Sequence, residues 1–240
     1  WRIMKLGLGL NINSVVSGDW TPAKLSNLQA WFKNDTDILE GASDPVEDND
    51  NVVQWSDQSG NNNHLTAPNN YFIYDAASGG VESSDTNNHK LHLTSQLTLD
   101  GEFSMYMRIK FSTFSGGATD LFFYDKDSSS EDFFRIQSTS EIRGKINNSA
   151  KIGFGTTVET GTYYNIGVER ASDNRVSVFL NNSALTQIST SGYEAGAVSG
   201  DLDIDAIGGS LDGIIKEVVI TDAALSATDR SNLQAYLANI

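Results

Sequence analysis

Phe103-Ser104-Met105-Tyr106-Met107-Arg108-Ile109-Lys110-Phe111 is the stretch on which the fold turns. Apolar side chains stand at every second position, Phe103, Met105, Met107, Ile109 and Phe111, with Ser104, Tyr106, Arg108 and Lys110 between them. A period of two sends successive side chains to opposite faces of an extended chain, so these nine residues predict a strand with one face in a core. Working outward, Leu121–Tyr124, Phe133–Gln137 and Glu141–Ile146 predict the next three strands. Tyr164, Ile166 and Val168 mark another, Val176, Val178 and Leu180 the next, and Gly213–Thr221 closes the series. Clusters of Gly, Asn, Ser and Asp punctuate these runs at the spacing of a β-sandwich. No long alternation of strand and helix is present, which disfavours a parallel α/β fold. The expectation is an all-β chain: a two-sheet antiparallel jelly-roll sandwich over residues 19–240, preceded by an extended arm over residues 1–18.

In the arm, Leu6, Leu8, Leu10 and Ile12 alternate with Gly7, Gly9, Asn11 and Asn13. Such a strand serves equally as an edge of its own domain or as an assembly arm added to a neighbouring subunit. Two short amphipathic helices are expected at the ends of the sandwich. The first has Thr21 as N-cap, Pro22 at its first position, and Leu25, Leu28 and Phe32 at helical spacing beside Trp31. The second begins near Ser226, where Ser226 and Asp229 approximate a capping box, and carries the stripe Leu233, Tyr236, Leu237, Ile240. Both contain the pentapeptide Ser-Asn-Leu-Gln-Ala, at 26–30 and at 231–235, which predicts similar packing duties for the two.

The 240 residues include 31 acidic and 16 basic side chains, for a formal net charge of -15. That surface repels phosphate backbones, so nucleic acid is excluded as a partner, while cations such as calcium are favoured. No apolar run approaches the length of a membrane span; Leu6–Leu10 is short and holds two glycines. There is no cysteine, so disulfides and thiolate metal sites are excluded, and assembly in a reducing cytoplasm is expected.

Three segments resemble the laminin-G/pentraxin/concanavalin-A-like superfamily. The first is the turn Trp55-Ser56-Asp57-Gln58-Ser59-Gly60-Asn61-Asn62-Asn63. The second is Tyr163–Arg170 followed by Arg175–Asn182, where Asn182 stands at a turn position in which glycine is common. The third is Ile207-Gly208-Gly209, then Asp212–Ile220, then Ala224-Leu225-Ser226. Together they span nearly the whole chain and imply a concanavalin A-like, laminin G-like sandwich. They say little about function, because that fold hosts lectins, adhesion modules, glycosidases and virion proteins. The opening Met4–Leu10, followed by Thr21-Pro22 and then Leu25, Leu28 and Trp31, resembles tailed-phage virion structural proteins. That resemblance implies a non-enzymatic decoration or tail-associated protein, made in the host cytoplasm and displayed on the outer surface of a virion. It would be present in many copies, beside other virion subunits, with a host-surface glycan as a further partner. The alternative is a soluble carbohydrate-binding, lectin-like module, and a third reading is a glucanase-like glycoside hydrolase.

Sugar recognition needs aromatic faces beside polar groups, and Tyr71 and Tyr74, near Asn69 and Asn70, form one such group; Tyr193, in a Ser/Gly-rich loop, is another. No cofactor is required on this reading. Calcium is the one that the acidic loops allow, with Asp57, Asp212 and Glu217 as candidate ligands. The same carboxylates have an ordinary use: Asp57 as a turn residue accepting backbone N–H groups, Glu217 as a polar residue on a strand face. Asp201, Asp203 and Asp205 share the rhythm of a glucanase strand, but that pattern places Glu at the outer positions. Here the expected arrangement is a solvent-facing acidic strand with Leu202 and Ile204 inward. His64, His89 and His92 lack zinc-ligand spacing, and no residue is assigned a catalytic role.

Overall fold

The computed structural model describes residues 20–41, 43–67, 72–84, 90–114, 120–125, 132–147, 151–209 and 211–240. Among these, two antiparallel sheets face each other. One contains eight strands, in the order Ser183–Ala184, Val176–Leu180, Tyr163–Arg170, Phe103–Phe111, Asp212–Thr221, Gly80–Ser84 and Phe72–Asp75, with Leu28–Phe32 paired to the second half of Asp212–Thr221. The other contains ten, in the order Thr186–Gln187, Ile152–Gly155, Glu141–Lys145, Phe133–Ser138, Asp120–Tyr124, Leu202–Ile207, Leu91–Leu99, Leu65–Thr66, Gln54–Trp55 and Ile38–Leu39. The all-β sandwich predicted from the alternation is therefore present.

Phe103, Met105, Met107, Ile109 and Phe111 all lie in the main core between the sheets, with no exposed surface. The intervening residues divide. Arg108 and Lys110 are partly open to solvent, whereas Tyr106 is wholly buried in a second, smaller core on the outer face of the same sheet. Its cover is the helix Ala227–Ala238, whose Leu233 and Leu237 pack with Leu25, Trp31, Tyr106 and Val219. The helix starts as the sequence predicts: the Ser226 Oγ accepts the Asp229 N–H at 3.1 Å and donates to the Asp229 carboxylate at 2.7 Å. Such a cap is worth about 1 kcal/mol. Gly167 makes room for the second core, because a Cβ there would stand 2.0 Å from the Tyr106 ring.

The helix expected over Thr21–Phe32 is not formed. Pro22–Lys24 make a single 3₁₀ turn, Asn27 takes a left-handed conformation at φ 60°, and the chain continues as the strand Leu28–Phe32. Its apolar residues lie on both faces: Ala30 and Phe32 enter the main core, while Leu28 and Trp31 join the second one. A strand covered on both sides is continuously apolar, and part of that run coincides with helical spacing. The pentapeptide Ser-Asn-Leu-Gln-Ala is thus turn and strand at 26–30 and helix at 231–235. Asn181 and Asn182, with φ of 48° and 68°, form the two-residue turn into Ser183–Ala184, so asparagine does the work of glycine there. The arm residues Leu6, Leu8, Leu10 and Ile12 lie outside the described residues.

Candidate functional site

The outer face of the eight-stranded sheet is only partly covered by the terminal helix, and a cleft of about 320 Å³ opens alongside the helix. Its lining comes from distant parts of the chain: Arg108 from one strand, Tyr163 and Asn165 from its neighbour, Asn181 and Asn182 from the hairpin turn, and Ser231, Gln234 and Ala238 from the helix. Sheet register brings the first three together, since Lys110 pairs with Tyr163 and Arg108 with Asn165. Asn181, Asn182 and Ser231 are exposed and meet the solvent first. Beneath them Asn165 is a buried junction. Its Nδ2 donates to the Gln234 carbonyl at 2.9 Å, its backbone N–H donates to the Asn181 Oδ1 at 2.9 Å, and its Oδ1 accepts the Arg108 Nη1 at 2.9 Å.

Four buried polar atoms of this cleft have no hydrogen-bond partner: the Arg108 Nε, the Tyr163 Oη, and both the Oε1 and Nε2 of Gln234. Each such group costs about 1–3 kcal/mol, so buried polar atoms are nearly always satisfied in proteins. Here four of them gather in one place. Burial also lowers the affinity of the Arg108 guanidinium for its proton, with the neighbouring Tyr163 acting in the opposite sense. The arrangement offers an amide that can donate and accept, a phenol, a guanidinium edge and an aromatic ring around one opening, which is the chemistry that reads hydroxyl groups on a ring-shaped ligand.

The residues singled out from the sequence lie elsewhere and do not converge. Tyr71 lies outside the described residues. Tyr74 is buried in the sandwich, and its hydroxyl donates to Asp35; burial, reinforced by Asp35, pushes the phenol up to about 12. Tyr193 lies on the outer face of the ten-stranded sheet with its ring over Gly153. Its hydroxyl accepts the Arg143 Nη2 at 2.6 Å and donates to Glu141 at 2.8 Å.

Asp57 is a buried turn carboxylate. It accepts the backbone N–H groups of Trp31, Ser59 and Asn63 and the Ser59 hydroxyl, at 2.7–3.0 Å, which fills the four lone-pair positions of the group. Glu217 lies between the sheet and the helix, where it accepts the Trp31 Nε1 at 2.6 Å, the Asn34 N–H at 3.1 Å and the Tyr236 hydroxyl. Burial nevertheless holds its carboxyl above the ordinary value. Asp212 accepts the Thr113 hydroxyl at 2.5 Å. Among the described residues no three His, Cys, Asp or Glu side chains are grouped as a metal site.

On the Leu202–Ile207 strand, Leu202 and Ile204 point inward as expected. The solvent-facing acidic strand predicted around them needs correction. Asp201 is exposed and Asp203 partly so, accepting the Thr98 hydroxyl at 2.7 Å, but Asp205 is buried close to Tyr124, where the strand register shifts.

The sequence does not mark the Arg108–Gln234 cleft as a site. Its only sequence signal is the resemblance of Tyr163–Arg170 and Arg175–Asn182 to a family strand pair, which speaks of fold.

No family model matches the chain, and no curated protein matches it. Among solved structures, Trypanosoma rangeli sialidase is similar with a TM-score of 0.60 at 11% identity, over 88% of this chain and 33% of that one. Domain 4 of AbnA, a GH43 extracellular arabinanase from Geobacillus stearothermophilus, was solved in complex with arabinotriose. It is similar with a TM-score of 0.56 at 15% identity, over 87% of this chain and 98% of that one. The binding domain of Botulinum neurotoxin DC, solved with rat synaptotagmin II, gives a TM-score of 0.58 at 12% identity, over 88% and 52%. The chain therefore spans about a third of the sialidase and nearly all of the arabinanase domain. None of these three is a virion protein, and the virion resemblance gains nothing from them. The expectation of a non-enzymatic chain is overturned: the fold recurs within a sialidase and an arabinanase, both enzymes, so it does not set this chain apart from catalysis. At such identities the likeness establishes the fold, a two-sheet antiparallel β-sandwich shared with a domain solved with a bound oligosaccharide.

Proposed function

We propose that this β-sandwich is a carbohydrate-binding domain, and that the cleft between the terminal helix and the Phe103–Phe111 and Tyr163–Arg170 strands is where the sugar sits. The observation that carries this reading is the gathering of unpartnered polar atoms on Arg108, Tyr163 and Gln234 around one opening. A sugar's hydroxyls both donate and accept, so they satisfy an amide and a phenol together, and a sugar's C–H face packs on a ring such as Tyr163. The likeness to an arabinanase domain solved with arabinotriose supports the same class of ligand. Display in many copies on the exterior of a virion, the setting implied by the resemblance of Met4–Leu10 and the following Thr21–Trp31 segment, would accord with this role, because weak glycan contacts add up when copies are linked. Calcium is not needed for binding in this form.

The test is a glycan array followed by titration calorimetry of the best ligand against the wild type, Gln234→Ala and Tyr163→Ala, with a chelator arm. Each substitution should weaken binding at least about tenfold, since each removes interactions worth about 1.4 kcal/mol or more. An array without any bound glycan, or variants that bind as tightly as the wild type, would overturn the assignment.

A further inference from the structure

Three cations surround Tyr163. The Arg108 guanidinium, the Lys110 Nζ and the Lys216 Nζ stand 5.2, 5.2 and 5.3 Å from the centre of its ring. The chain holds 16 basic residues against 31 acidic ones, so such a concentration runs against its overall charge. Register builds it: Lys110 pairs with Tyr163 on one side and Ile214 on the other, and the sheet irregularity between Ile215 and Glu217 places Lys216 beside them. Elsewhere, Arg143, Arg175 and Arg230 each pair with a carboxylate, Glu141, Asp173 and Glu169. Among the described residues, Arg108, Lys110 and Lys216 form no ion pair.

The acids nearest the cluster are otherwise placed. Glu217 is held by Trp31, Asn34 and Tyr236, Glu82 lies beyond Ile214 in the same row of the sheet, and Asp75 is at the sheet edge. Burial first, and then the Arg108 charge, weaken the hold of Lys216 on its proton, while Asp75 and Glu217 act in the opposite sense without forming an ion pair with it. Three like charges held around one ring, one of them a guanidinium fixed by Asn165, cost free energy that a bound anion would offset.

We propose that the ligand of this cleft is an acidic saccharide, whose anionic group is held by Arg108, Lys110 and Lys216 while its ring rests near Tyr163. This rests on the assignment of the cleft to carbohydrate. The guanidinium fork suits the two oxygens of a carboxylate, and a sulfate ester presents the same charge and acceptor chemistry. Because the protein as a whole repels anions, the preference should be clearest at about 0.15 M salt, where repulsion beyond about 8 Å is screened and the contact itself is not.

The experiment is calorimetric titration of the intact chain with two matched pairs: oligogalacturonate against its methyl ester, and a sulfated disaccharide against the desulfated form. The same titrations are run on Lys110→Gln/Lys216→Gln, with melting curves to confirm that this variant folds. The expected result is that at least one acid binds about tenfold or more tightly than its neutral partner, and that the double variant erases the difference while keeping the neutral affinity. Which pair shows the effect identifies the anion. Equal affinities for acid and neutral forms overturn the inference and leave the carbohydrate assignment standing. An acid preference that survives in the folded double variant also overturns it, because the charge is then read elsewhere. Absence of binding by every saccharide, here and on the array, removes both.

Discussion

Replacing Arg230 by Met probes what holds the helical wall of the cleft. Arg230, in the first turn of Ala227–Ala238, donates from Nε and Nη2 to the Glu169 carboxylate at 2.8 and 2.5 Å, and the Tyr106 hydroxyl donates to the same carboxylate at 2.5 Å. The Glu169 side chain is 6% exposed and that of Arg230 24%. Removing one partner of a fully buried pair costs about 3–5 kcal/mol, chiefly because the other charge is left without compensation. Water reaches the Arg230 side of this pair, so the cost falls below the fully buried range, to about 2–3 kcal/mol. The Arg230 guanidinium also lies over the Phe179 ring, 4.5 Å from its centre, so methionine keeps the apolar stem but gives up this cation–π contact, which is part of the cost. For a chain of this size that corresponds to a fall in melting temperature of about 5–10 °C.

The assay is urea unfolding followed by tryptophan fluorescence, with Trp31 under the helix as an internal reporter. It compares Arg230→Met, Glu169→Met and the double variant. The double variant leaves no unpaired charge, so its cost should fall short of the two single costs added by at least about 1.5 kcal/mol. A cost below about 0.5 kcal/mol for Arg230→Met, or single costs that simply add, would refute the argument that this buried pair anchors the helix.

Asp57→Ala should destabilise the chain by about 3 kcal/mol, because it strips the partners from the Trp31, Ser59 and Asn63 N–H groups at once; melting curves measure this, and a wild type whose melting temperature falls on adding chelator would instead make an ion the main partner of Asp57. Glu217→Gln should change the pH dependence of stability. The folded Glu217 holds its proton to higher pH than an ordinary glutamate, so the native state binds more protons than the unfolded one in that window, and this carboxyl's contribution is lost as pH rises through its folded value. The melting temperature of the variant minus that of the wild type should therefore increase from pH 4.5 towards neutrality, and a flat difference would count against a buried carboxyl of raised affinity.

What the sequence determined by itself is what neighbours along the chain decide. The alternation in Phe103–Phe111 specifies a strand and its inward face, because successive side chains of an extended backbone must point oppositely. Ser226 and Asp229 specify a helix start, and Asn181-Asn182 a tight turn, because a cap and a left-handed residue act within a few positions. Asp57 was legible as a turn carboxylate for the same reason. The pentapeptide Ser-Asn-Leu-Gln-Ala marks the limit of such signals. At 26–30 its leucine and alanine enter cores on opposite sides of a strand, and at 231–235 the same residues belong to a helix, so the surrounding packing, not the peptide, makes the choice. The cleft belongs wholly to that second kind. Arg108 and Lys110, Tyr163 and Asn165, Lys216, and Gln234 come from four distant stretches that share no local pattern, and Tyr163 alone looks like one more strand residue. Antiparallel register sets Lys110 against Tyr163, the irregularity in the closing strand brings Lys216 to them, and the helix carries Gln234 over the top. These contacts cross between strands and between layers, where only the folded arrangement decides which side chains meet.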